Sequence, residues 1–184
     1  MTARLNMLET ERLRLRRWRE EDLDAFAAMN ADPRVMEHFP ATLSREESSA
    51  LMARIESVFE RHGFGAWACE RKDSGEFIGF TGLSVPSFEA HFMPCVEIAW
   101  RIAHAHWGHG FAPEAARAAL DAAFGPLALP EVLSFTAIVN TRSRRVMEKI
   151  GMRHDPAGDF DHPALPEGHP LRRHVLYRIT PQQR

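Results

Sequence analysis

The sequence predicts a mixed α+β fold, a central, mostly antiparallel twisted sheet flanked by helices, and three observations carry that prediction. Apolar residues alternate with period two in several short runs and recur at helical spacing in others. Lys72-Asp73-Ser74-Gly75 joins two of the strand-like runs as an antiparallel hairpin. The runs follow the order strand, two helices, three strands, helix, strand, helix, strand, with no internal repeat. A chain of 184 residues can bury well over half of its unfolded surface in one core, so a single domain over residues 1–184 is expected.

Leu13 and Leu15 alternate with Arg12, Arg14 and Arg16, the pattern of a half-buried first strand with its arginines outward. Leu23, Phe26 and Ala27 share a helical face that Asp32-Pro33 ends, because a residue before proline is pushed out of the helical region. Ser44 and Glu47 form a capping-box signature, and Leu51, Met52, Ile55, Val58 and Phe59 mark a second helix ending near Gly63. Ala66–Arg71 and Glu76–Ser84 are the hairpin strands, and the run from Cys95 through Ile102 is the next. Ala115–Phe124 is a helix of small residues closed by Gly125-Pro126. Leu133–Val139 reads as a strand, Ser143–Lys149 as a short helix ending at Gly151, and His174–Ile179 as the last strand. The Pro, His and Asp-rich segment from His154 to Arg173 between them reads as a surface loop rimming a substrate entrance.

The most informative stretch is Cys95–Phe124, where a strand runs through a glycine-broken turn, Trp107–Ala112, into the alanine-rich helix. The amides of a helix's first turn have no partners inside the helix and sit at its positive end, so they can grip a diphosphate without a lysine. Gly108 and Gly110 suit close approach of the main chain to an anion, and Pro113 suits the first helical position. A G-x-G turn alone is also compatible with a plain tight connection. The third glycine of a dinucleotide fingerprint and the G-K-[ST] of a P-loop are both missing, which suits a cofactor bringing its own diphosphate, such as coenzyme A.

A formal net charge of −2 and a pI near 6.6 give no global attraction to nucleic acid or to an anionic membrane. The N-terminal stretch lacks the apolar core of a signal peptide and no later run could span a bilayer, so a cytoplasmic protein is expected. Cys69 and Cys95 lie in apolar runs and read as buried reduced thiols. His104, His106 and His109 cluster, and four more histidines sit in or beside the late loop. They lack the tight pair spacing of a structural zinc site and overlap the diphosphate turn, so no metal is expected, with a metal-binding regulatory module as the reading this sets aside.

Several separated segments resemble the GNAT superfamily of acetyltransferases in order and spacing: ETERLRLRRW, GEFIGFTGLS, VEIAWRI, WGHGFAPEA and IVNTRSRRVMEKIGM. The resemblance covers nearly the whole chain and is closest to the branch that includes ribosomal-protein N-terminal acetyltransferases. It implies the GNAT fold, in which the fourth and fifth strands splay apart and the pantetheine arm of acetyl-CoA enters the gap. It also implies that the backbone of Trp100, Arg101 and Ile102 pairs with pantetheine, and that Trp107, Gly108, His109, Gly110, Phe111 and Ala112 surround the diphosphate. Two positions depart from the pattern: Ala105 stands where the family often has Gln or Arg, and Met147 where many members have a proton-donating tyrosine.

An amine that attacks a thioester must be uncharged, the thioester oxygen needs a donor, and the departing thiolate needs a proton. Alternation puts Glu97 with Ala99 and Arg101 on the strand face opposite Val96, Ile98, Trp100 and Ile102. The resemblance makes Glu97 the candidate base; its alternative is a surface carboxylate paired with Arg101. Asn140 and Ser143 read by themselves as a helix cap. The resemblance adds that Asn140 contacts the cofactor and that, with Met147 at the tyrosine position, either Ser143 protonates the thiolate or a water and the helix dipole stabilise it; Arg142, Arg144 and Arg145 are candidates to approach the phosphates, although arginines on a short helix also suit plain solvation. Phe39, Trp67 and Phe88 are candidate acceptor-pocket residues, although each also suits core or rim packing. An N-terminal amine of pKa near 7.7–8.0 is neutral far more often at pH 7 than a lysine near 10.4, which fits a single modest base. The expected function is acetyl transfer from acetyl-CoA to a protein N-terminus or small-molecule amine, by a chain that, like many in the family, could pair as a homodimer. A non-catalytic acyl-CoA sensor of the same fold stays open beside it.

Overall fold

The computed structural model describes residues 5–184, so the first four residues of the N-terminal stretch read above for a signal peptide lie outside it. The strands are β1 (Met7–Glu9), β2 (Leu13–Arg16), β3 (Ala66–Arg71), β4 (Phe77–Ser84), β5 (Glu97–Ile102), β6 (Val132–Ala137), β7 (Arg153–His154), β8 (Phe160–Asp161) and β9 (Arg173–Ile179). The α-helices are α1 (Leu23–Ala31), α2 (Arg45–His62), α3 (Phe111–Phe124) and α4 (Thr141–Lys149). One sheet runs in the order β1-β2-β3-β4-β5-β6-β9-β7, with β8 also on β9. Every neighbouring pair is antiparallel except β5 with β6. The fold is the mixed, mostly antiparallel architecture that the sequence predicts.

Local chemistry explains most of the boundaries. Ser44 Oγ accepts from the Glu47 amide at 3.2 Å and the Glu47 carboxylate accepts from the Ser44 amide at 2.7 Å, so both halves of the capping box form. Gly63 then ends α2 in the left-handed conformation, φ 76°. Helix α3 starts at Phe111, which makes Pro113 its third residue and not its first. The missing N–H is harmless there too, since the whole first turn lacks intrahelical acceptors. β1 pairs with β2 from Met7↔Arg16 to Glu9↔Arg14, and β7 and β8 add two-residue strands within the segment read as a loop. Such short strands carry no readable period. β6 ends at Ala137, leaving Ile138 and Val139 exposed.

The core forms where aromatic and small residues meet the sheet. Phe26 of α1 packs against Trp18 and Phe80 with ring centroids 4.7 and 5.9 Å away, and Phe59 of α2 meets Trp67 edge-on at 5.6 Å. Helix α3 buries Ala115, Ala116, Ala119, Leu120 and Ala123 completely as it lies against β4 and β5. Both cysteines are free thiols. Burial pushes the Cys69 thiol up to about 12, whereas Cys95 is only half-buried beside Met93, contrary to the expectation for it.

Strand β2 departs from the alternation rule at Arg16, which is buried where an outward arginine is expected. Its guanidinium donates to both oxygens of Asp22 at 2.8 Å and to Glu70 at 2.7 Å, and those carboxylates are 2% and 5% exposed. Arg14 adds a contact to Glu70 at 2.7 Å. A buried cation of this kind is held only because its carboxylates are already in place. Asp22→Ala is expected to destabilise the fold by about 3–5 kcal/mol in denaturant unfolding, because it leaves that charge short of a partner. The exposed Asp73→Ala, which loses only a surface pair with Arg71, should cost less than about 1 kcal/mol.

Candidate active site

β5 is paired along its whole length to β4, from Ser84↔Glu97 to Gly79↔Ile102. Its parallel pairing with β6 is confined to Glu97↔Leu133, where the Leu133 amide donates to the Val96 carbonyl at 2.9 Å. Beyond that bridge the two strands splay, and a cavity of about 620 Å³ opens between them. These are the fourth and fifth strands of the sequence reading, renumbered by the extra N-terminal β1.

Strand alternation decides which backbone groups face the gap. The Val96 carbonyl points to β6, while the Ala103 amide donates to the Ile78 carbonyl beside β4 at 2.8 Å. Even-numbered residues of β5 therefore turn their backbone groups into the gap and odd-numbered ones turn theirs to β4. Trp107 Nε1 fills the Ile102 carbonyl at 2.7 Å, which leaves Trp100 as the residue with both backbone groups open on the gap. Arg101 corrects the expectation of three consecutive pairing residues: its backbone belongs to β4, and only its side chain reaches the cavity.

The turn after β5 has the shape its glycines suggest. Gly108 and Gly110 sit at φ 80° and 79°, which a side chain resists, and Gly110 is the residue from which α3 starts. A Cβ at Gly108 would meet nothing within 4 Å, so the surface over this turn is open. The turn is pinned from β2's flank. Arg12 donates to the His109 carbonyl at 3.0 Å and, through Nε, to Glu114 at 2.7 Å, and its guanidinium lies 4.5 Å from the centre of the Phe111 ring. Thr10 adds a 2.6 Å hydrogen bond to Glu114. Trp107, Gly108, Gly110, Phe111 and Ala112 line the cavity; His109 does not, as its side chain is turned out to the rim.

Glu97 lines the same cavity at its inner end, and its carboxylate accepts a hydrogen bond from Ser84 Oγ at 3.2 Å. Burial pushes its carboxyl up to about 8, against the modest opposing effect of Ser84. The alternative pairing with Arg101 is not formed; Arg101 instead donates to Asn30 Oδ1 at 2.7 Å.

Asn140 caps α4, accepting from the Ser143 amide at 3.2 Å and donating to Thr136 Oγ1 at 2.9 Å, so the capping reading of this pair holds. Asn140, Ser143 and Arg145 all line the cavity. Arg142 lies over the Trp107 ring at 4.6 Å, while Arg144 turns away to Tyr177. Met147 is a core residue, 1% exposed, so no proton donor enters the cavity from that position.

Among the acceptor-pocket candidates, Phe39 lines the cavity and Trp67 does not. The Trp67 indole is wholly buried and donates to the Leu5 carbonyl at 3.0 Å, a core role that its hairpin position imposes. Phe88 packs with Phe92, Phe135, Phe160 and His162, and Phe135 alone of these reaches the cavity wall. His162 and His174 join this cluster 5.0 Å apart, and burial lowers the pKa of each. Among the described residues, no three His, Cys, Asp or Glu side chains are grouped to hold a metal ion. Sequence reasoning missed Val35 and His38 in the link between α1 and α2, Thr136 on β6, and Lys149. Lys149 was findable, lying four residues beyond Arg145 on the same helical face.

Residues 12–153 match the Acetyltransferase (GNAT) domain family. The chain is 32% identical over 148 residues to the uncharacterized protein YkkB of Bacillus subtilis, covering 80% of this chain and 85% of the relative. It is 29% identical over 187 residues to FsC-acetyl coenzyme A-N(2)-transacetylase of Aspergillus fumigatus, covering 96% and 77% respectively. The crystal structure of a GNAT-family acetyltransferase from Bacillus anthracis is similar with a TM-score of 0.76 at 26% identity, over 95% of this chain and 98% of that one. A domain match over most of the chain, on a sheet that splays where that family's does, makes this protein a transferase of the GNAT acetyltransferase family.

Proposed function

We propose that this chain moves an acetyl group from acetyl-CoA to a primary amine by direct attack of the amine on the thioester. The observation that carries the reading is one continuous cavity with the glycine-bounded turn at one end, the unpaired Trp100 backbone along its wall and Glu97 at the other end. The residues fit coenzyme A. The amides of Gly108, Gly110, Phe111 and Ala112 and the Arg145 and Lys149 side chains would hold its phosphates, and the open edge of β5 would hold its amide-rich arm. When bound, acetyl-CoA supplies an acyl carbon activated as a thioester. The Aspergillus relative's name, a transacetylase using acetyl coenzyme A, supports the choice of donor.

In this reading Glu97 accepts the proton that the amine gives up, a task that suits a carboxyl raised to about 8 better than an ordinary one. The Trp100 amide meets the thioester oxygen, and the Ser143 hydroxyl gives a proton to the departing sulfur. The acceptor is a protein N-terminus or a small-molecule amine. A second reading, an acyl-CoA sensor without turnover, is favoured by one observation, the buried Met147 in place of a proton donor. Thiol release from acetyl-CoA with a panel of peptides and small amines separates them: release supports transfer, and tight binding without release supports the sensor.

Gly108→Asp should weaken coenzyme A binding about tenfold or more in calorimetry, since it sets a carboxylate against the diphosphate. Gly108→Ala serves as the control, as it brings the same φ strain of about 1–2 kcal/mol without the charge. Glu97→Gln should lower kcat by about 10²–10⁴-fold. With an acceptor amine of pKa near 10, the wild-type rate should carry a limb near pH 8 that the variant lacks.

The same carboxyl links stability to pH. It ionises near 4.5 when unfolded and near 8 when folded, so unfolding between these values releases a proton. The stability it contributes is complete below the lower value and is lost as pH rises through the upper one. The melting temperature of Glu97→Gln should therefore gain on wild type between about pH 5 and about pH 9.

A further inference from the structure

Among the described residues, Arg16 is buried and Arg101 is half-buried in the cavity wall, and the two are treated differently. Arg16 has Asp22 and Glu70 against it, as a buried cation requires. Arg101 has no carboxylate within ion-pair distance among the described residues, although it lines the same cavity as Glu97. Nη1 donates to Asn30 Oδ1 at 2.7 Å, and Nε is buried with no acceptor. The faces of the guanidinium are covered by Phe39, 4.2 Å to the ring centre, and Phe80 at 5.3 Å. What remains open to a ligand is the Nη2 end of the in-plane edge, in a side chain that lines the cavity.

The arrangement is built and held. Asn30 on α1 is completely buried, and its Nδ2 donates to Ser48 Oγ of α2 at 3.0 Å. Two helices thus fix the oxygen that orients Arg101. Burial lowers the Arg101 pKa to about 10, which still leaves it charged near neutrality. Coenzyme A does not account for this cation. The residues suited to its phosphates are the turn amides and Arg145 and Lys149 on α4, whereas the Arg101 side chain reaches toward α1 and the link that carries Phe39. Glu97 lies four residues back on the same face of β5, about 13 Å between Cα atoms.

We propose that Arg101 determines acceptor specificity by binding a carboxylate, so that the acceptor is an amine that also carries a carboxylate group, such as an amino acid. The proposal rests on the acetyl-transfer reading of this cavity. A planar carboxylate fits the free edge of one guanidinium whose faces are occupied, and it supplies the single negative charge that this wall lacks. A phosphate dianion would call for a second free cation. Arg34, a cation of the same cavity wall, is already held by Asp32 at 2.7 Å.

The test is thiol release from acetyl-CoA by the full chain, with matched amines: amino acids, their amides, the corresponding decarboxylated amines, a polyamine and a phosphorylated amine. Wild type should favour each carboxylate over its amide by about 10- to 100-fold in kcat/KM, the range of a hydrogen bond to a charged group. Arg101→Met should collapse that ratio, mainly through KM, and Arg101→Lys should restore part of it. Release from amides and decarboxylated amines at rates equal to the carboxylates would overturn the proposal while leaving acetyl transfer standing, and this comparison needs no variant to fold. A preference for the phosphorylated amine would overturn it in the same way. Absence of release from every amine would remove the acetyl-transfer reading and the proposal together.

Discussion

The bridge Glu97↔Leu133 is the constraint on which the rest of the site depends. Were β5 and β6 paired along their length, the backbone of Trp100 would be satisfied within the sheet and the cavity would not exist. Because they part after one bridge, a stretch of strand is left inside the protein with donors and acceptors that need a partner. A ligand that pairs like a strand answers that need. The parting also decides the electrostatics, since it sets Glu97 at the closed end of the gap, where burial raises its carboxyl. The glycine-bounded turn at the open end is held in place by Arg12, which links it to β2 through Glu114 and the His109 carbonyl.

Charge is distributed on a consistent plan. Where a cation serves the fold, as at Arg16, its carboxylates lie within hydrogen-bonding distance. Two of the charges that line the cavity lack an ionic partner among the described residues: Glu97 accepts from a serine and Arg101 donates to an asparagine, whereas Arg34 and Arg142 of the same wall are paired with Asp32 and Glu37. A site that binds and transforms ions keeps its charges uncompensated until the ligand arrives, and surrounding structure carries the cost. The buried Met147 marks a place where this chain differs from the tyrosine pattern it otherwise resembles, leaving Ser143 as the hydroxyl nearest that task by sequence position.

Local rules made much of this legible. The Ser44–Glu47 box, the Gly63 stop, the hairpin turn and the facing of Glu97 all follow from short-range chemistry, and each stands in the structure as read. The glycine turn was legible because positive φ is a demand few residues meet. What escaped depends on distant residues. Arg12 reaches a helix 102 positions away, and Arg16 is buried because Asp22 and Glu70 arrive from other elements. For Trp67 the sequence leaves pocket and core open, and the core is the outcome because its strand lies between two others, where an indole packs inward. The short β1, β7 and β8 exist only because a neighbouring strand has an edge to offer.

A structure of the chain crystallised with coenzyme A tests the central claim most directly. The expected result is the diphosphate on the amides between Gly108 and Ala112, with the pantetheine arm paired to Trp100 in the gap between β5 and β6. A nucleotide bound elsewhere on the surface, with the gap closed or vacant, would contradict it.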